Sequence, residues 1–79
     1  MNDDLLSMSV DELKQQWRHY EFVLSQCVST SDVYRQIGIE NELVERGVTK
    51  DEFTEMHRQV DASVRFYEEQ CRKEMAEQP

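Results

Sequence analysis

Ser9-Val10-Asp11-Glu12-Leu13-Lys14-Gln15-Gln16-Trp17-Arg18-His19-Tyr20-Glu21-Phe22-Val23-Leu24-Ser25-Gln26-Cys27 opens with a helix start signal and continues with helical periodicity. The Ser9 hydroxyl can accept the third helical N–H while the Glu12 carboxylate reaches back to the Ser9 N–H, the reciprocal pair of a capping box. Val10, Leu13, Trp17, Tyr20, Leu24 and Cys27 then recur at spacings of three and four, which places all six on one stripe at 3.6 residues per turn. A first helix is expected over 10–28. It should stop at Cys27-Val28-Ser29-Thr30-Ser31, where consecutive hydroxyl side chains compete for backbone hydrogen bonds and favour a turn.

Working outward, a second helix is expected over 32–46, capped by Ser31 or Thr30 and ended by Gly47, with Val33, Ile37 and Val44 as its core face. Gly38 lies inside it at a cost of about 1 kcal/mol relative to Ala, which suggests a kink or the close approach of another helix. Thr49-Lys50-Asp51-Glu52 is a second capping box, so a third helix is expected over 50–75. Asp51 and Glu52 suit the positive end of its dipole, and Arg72 and Lys73 the negative end. Phe53, Met56, Val60, Val64, Tyr67 and Cys71 form its stripe. At about 40 Å it outruns the other two helices and should leave part of that stripe uncovered, a reason to expect self-association or a partner. Residues 1–8 and 76–79 are expected to be frayed tails.

The composition agrees with helix. The 79 residues include 2 Gly and 1 Pro, with 33% charged side chains, too few turn residues for a β-rich domain. The fold expected is all-α: a small three-helix bundle, or a long helical hairpin with a bridging helix, assembled as a homodimer. A chain this short buries only about 60% of its unfolded surface, so its core is thin. Every part of the chain is acidic, and the formal charge is −8. That field repels phosphate backbones and anionic lipid, which disfavours direct nucleic-acid or membrane binding and favours a protein partner with a basic or apolar surface. Two cysteines and no basic-then-apolar leader point to a reducing cytoplasm, and no run approaches the roughly 20 apolar residues of a membrane span.

Catalytic chemistry is not expected, and neither is a cofactor or metal. His19 and His57 have no ligand set at metal spacing with Cys27 and Cys71, and both are expected at helix surfaces or boundaries. Both cysteines fall on apolar stripes, where a thiol behaves as a small, shielded hydrophobe. Glu40 to Phe53 has the outline of a helix-turn-helix, yet its second helix would present Lys50, Asp51, Glu52, Thr54 and Glu55 to DNA, a net negative set. Glu40, Glu42, Glu45, Asp51, Glu52 and Glu55 also form an acidic run that could meet a basic groove in place of a phosphate backbone.

Four apolar side chains fall off the expected core faces. Phe22 points almost opposite its stripe, Ile39 and Leu43 form an i,i+4 pair away from Val33, Ile37 and Val44, and Phe66 lies more than a quarter-turn from its own stripe. Together with the acidic run they form the expected partner-binding set. The function expected is a non-catalytic regulator that binds another protein, of the type that phages and mobile elements encode as inhibitors of host machinery, anti-CRISPR proteins included. Size, acidity and the lack of a motif suggest it, with no residue match. The alternative is a helix-turn-helix-like transcriptional or nucleoid-associated regulator.

Overall fold

A computed structural model describes residues 3–77, which form four helices: α1 (Asp3–Leu6), α2 (Val10–Gln26), α3 (Thr30–Glu45) and α4 (Lys50–Glu77). The architecture is an all-α small helical bundle. Both capping boxes form. Ser9 Oγ accepts from the Glu12 N–H at 3.1 Å and Glu12 accepts from the Ser9 N–H at 3.3 Å; Thr49 and Glu52 repeat the exchange at 3.3 and 3.0 Å. α3 ends as Gly47 requires: its φ of +92° is left-handed, the Gly47 N–H donates to the Val44 carbonyl at 3.0 Å, and the Val48 N–H donates to the Leu43 carbonyl at 3.1 Å.

α2 is the central helix, packed against both α3 and α4, while α1 lies on α3. α4 runs parallel to α2: Lys14 reaches Glu52 near their starts, and Phe22 meets Tyr67 edge-on near the end of α2. At 28 residues against 17, α4 continues beyond its neighbour and stretches the molecule to 50 × 26 × 16 Å. Leu5, Leu13, Trp17, Ile39, Leu43, Val48, Met56 and Val60 make the core. Trp17 sits at its centre, 5.7 Å from the Phe53 ring and edge-on to His57 at 4.7 Å.

Four expectations need correction. The first concerns α3, which is rotated relative to the sequence reading. Ile39 and Leu43 are fully buried, whereas Ile37 and Val44 are 48% and 57% exposed. The buried face carries Gln36 at its centre, and that polar residue hid its apolar character. Gln36 Nε2 donates to the Trp17 carbonyl at 3.0 Å and to Glu21 Oε1 at 2.9 Å, which satisfies its amide nitrogen, while its Oε1 has no partner among the described residues. The second concerns the N-terminal segment, which is docked where a frayed tail over 1–8 was expected. Leu5 is in the core, Arg35 grips Asp4 with two hydrogen bonds of 3.2 and 2.6 Å, and the Arg46 guanidinium donates to the carbonyls of Leu5, Leu6 and Met8. A four-residue helix leaves its last carbonyls short of internal partners; the Met8 N–H reaches the Leu5 carbonyl at 3.2 Å, and Arg46 supplies donors to the Leu5, Leu6 and Met8 carbonyls.

The third concerns Cys27, which is exposed rather than shielded, because α2 stops at Gln26 and Cys27 is its extended C-cap, φ −151°. The fourth is one of boundaries: α3 begins at Thr30 after Ser29, and α4 continues to Glu77. Residues 1–2 and 78–79 of the expected tails lie outside the described residues.

Candidate functional site

The rotation that buries Ile39 and Leu43 turns a second apolar row outward. Taking about 100° per residue, Tyr34, Ile37, Asn41 and Val44 centre about 150° from the Gln36, Ile39 and Leu43 face. Tyr34, at 71% exposure, is the most open of the three apolar ones. Glu40 and Glu45 flank the row, both exposed, and among the described residues neither pairs with a cation. The basic side chains of α3 and its C-cap are committed elsewhere: Arg35 to Asp4, and Arg46 to Glu42 and the carbonyls of Leu5, Leu6 and Met8. This face of α3 is therefore an aliphatic and aromatic strip edged by carboxylates.

The expected partner-binding residues separate on this framework. Ile39 and Leu43 are removed from the set, since a side chain with no exposed surface cannot meet a partner. Phe22 is half-buried against the core, edge-on to Tyr67 at 5.6 Å, and Phe66 is 65% exposed. Within the acidic run, Glu42 is tied to Arg46 at 3.0 Å, Glu52 closes the α4 capping box and approaches Lys14, and Glu55 holds Arg58 at 2.5 Å. The guanidinium beside Glu55 holds its carboxyl below the usual range. Glu40, Glu45 and Asp51 remain exposed and unengaged among the described residues. Tyr34, Ile37 and Val44 are what the sequence reading missed. One signal was present: Gly47 at the helix end makes Leu43 and Val48 the apolar pair that closes such a terminus, which commits Leu43 to the inside.

On another side of the molecule α2 and α4 enclose an open groove of about 480 Å³, lined by Gln15, Arg18, His19, Phe22, Gln59, Val60 and Ser63. Further along α4, from the level of Phe22 past the end of α2, Tyr67, Cys71 and Met75 carry the α4 stripe outward, with Met75 75% exposed. Hydrogen bonding to the Cys71 thiol pushes the Tyr67 phenol above its usual pKa. Among the described residues no group of three or more His, Cys, Asp or Glu side chains could hold a metal ion, and no helix is long and apolar enough to cross a membrane. Compared with family models, with curated proteins and with solved structures, the chain matches none.

Proposed function

We propose that this protein acts without catalysis, by binding another protein through the outer face of α3. The observation that supports this is the carboxylate-edged strip of Tyr34, Ile37 and Val44, turned away from the core on a helix whose other face is fully used. Residues of this kind lose favourable free energy while they face water, about 1.5 to 3 kcal/mol for a full-sized side chain, and recover it under a partner. Glu40 and Glu45 select the partner's character: an apolar surface bordered by Lys or Arg. A stable dimer interface buries about 800 Å² and about 20 or more residues per partner, more than one face of a 16-residue helix presents. A different protein is thus favoured over a second copy. Small inhibitors that phages and mobile elements direct at host machinery in the cytoplasm, anti-CRISPR proteins among them, are the type of regulator that this size and acidity suit.

The test is capture from the native host on immobilised protein, with wild type and an Ile37→Ser/Val44→Ser variant side by side. A basic protein retained by the wild type and lost from the variant, at unchanged melting temperature, supports the proposal. Identical captures from both remove α3 from the account, and a wild-type dimer that the variant dissolves replaces the foreign partner with a second copy.

A further inference from the structure

The α2–α4 groove has a charge opposite to that of the chain around it. Acidic side chains outnumber basic ones 17 to 9 along the sequence, yet none of the residues lining the groove is acidic, and Arg18 is among them. Arg18 has no carboxylate partner among the described residues. The nearest acid along its own helix, Glu21, is turned to Gln36 and His57. On α4 the nearby Glu55 is taken by Arg58. An unpaired guanidinium in an acid-free cleft is a prepared carboxylate site, since its planar donors match a carboxylate oxygen pair.

The rest of the lining defines what accompanies that carboxylate. Phe22 and Val60 give the groove its apolar lining, and Tyr67 meets the Phe22 ring edge-on. Gln15, Gln59 and Ser63 stand exposed on its walls. Each glutamine offers both a donor and an acceptor, the complement of a peptide's own N–H and C=O groups. Gln15 is unengaged among the described residues, Gln59 spends a donor on the Glu55 carboxylate and keeps its acceptor, and Ser63 uses only its hydrogen, toward the Gln59 carbonyl at 3.1 Å. Small-molecule sites enclose most of their ligand, whereas this cleft is open along two parallel helices and suits a chain that continues past it at both ends.

We infer that the α2–α4 groove is a second binding site, for an extended acidic peptide segment of another protein: an apolar anchor over Phe22 and Val60, a carboxylate on Arg18, and backbone groups met by Gln15, Gln59 and Ser63. It is separate from the α3 face and takes ligands of opposite charge, so each site stands or falls alone.

The probe is the labelled peptide acetyl-Glu-Phe-Asp-Leu-Glu-amide, titrated against the full chain by fluorescence anisotropy and by backbone amide NMR. Binding is expected to shift the amides of Arg18, His19, Phe22, Gln59 and Ser63. Arg18→Gln should weaken it about tenfold, the loss of one charge-assisted pair. Gln59→Glu, an exposed and isosteric change that puts a carboxylate on the wall, should do the same, both variants melting as wild type does. The Gln/Asn analogue of the peptide should bind no better than the weakened variants. The inference is overturned by shifts that map elsewhere, by equal affinity for the neutral peptide, by indifference to both substitutions, or by no binding. Tight binding of free phenylacetate with none of the peptide would make this a small-molecule site instead, and melting of both variants well below wild type would make Arg18 and Gln59 structural.

Discussion

α2 and α3 are almost the same length, 17 and 16 residues, and both carry apolar side chains at spacings of three and four, yet one has a single apolar face and the other has two. In α2 the row that contains Leu13 and Trp17 goes inward and the opposite side is polar or lines a groove. In α3 Ile39 and Leu43 go inward while Tyr34, Ile37 and Val44 stay out. Periodicity counts the apolar positions of a helix without choosing between two faces. That choice is made by neighbours: Val48 closing on Leu43, Gln36 reaching the Trp17 carbonyl, and the two arginines that tie α1 to one side of α3.

Trp17 fills the centre of the core, so Trp17→Ala should cost about 3 to 5 kcal/mol, enough to unfold a domain of this size. A melting temperature close to wild type would show that the single face of α2 is misassigned. The next effect is on the side of α3 that holds α1. Arg46→Met keeps the aliphatic stem but removes the donors to the Leu5, Leu6 and Met8 carbonyls, an expected loss of about 1 to 3 kcal/mol. Limited proteolysis should then cut near the N-terminus before the helices of the bundle are touched.

A smaller effect separates the cysteines. Cys27 should react with a thiol reagent in the native protein well before Cys71, because the first is an exposed cap and the second is half-buried on α4. Equal rates would mean that α2 runs on past Gln26.

The smallest effect is the pH dependence of α1 docking. Arg35 holds the Asp4 carboxyl below its ordinary value through a direct hydrogen bond, so the pair's contribution is present above the ordinary carboxylate range and is lost as pH falls through the lowered value. The melting-temperature difference between wild type and Asp4→Asn should be small at pH 7, where the exposed pair is screened by solvent, and should vanish in strong acid. A difference that grows in acid contradicts the pairing.

Much of the fold was legible because its signals are local. Ser9 with Glu12, Thr49 with Glu52, and Gly47 each announce a helix end through their own side chain or backbone freedom, and each is found where expected. The position of Trp17 was legible because α2 has one apolar face. The face of α3 was not, because a buried glutamine interrupts the inner row and an aliphatic pair strengthens the outer one. The docking of α1 was not legible either, since it depends on Arg35 and Arg46, 31 and 41 residues away from Asp4 and Leu5. Of the expected partner-binding residues, the exposed and unengaged acids Glu40, Glu45 and Asp51 and the exposed Phe66 are placed where a partner could reach them, while Ile39 and Leu43 exchanged places with Ile37 and Val44.

The central claim, that α3 uses Ile39 and Leu43 for folding and keeps Ile37 and Val44 outside, is tested most directly by chemical denaturation of two variants in parallel. Leu43→Ala should lose about 2 to 5 kcal/mol with the transition shifted accordingly. Ile37→Ser/Val44→Ser should stay within about 1 kcal/mol of wild type, as surface substitutions do. The reverse order, a stable Leu43→Ala and an unfolded Ile37→Ser/Val44→Ser, would contradict the rotation of α3 and with it the binding face.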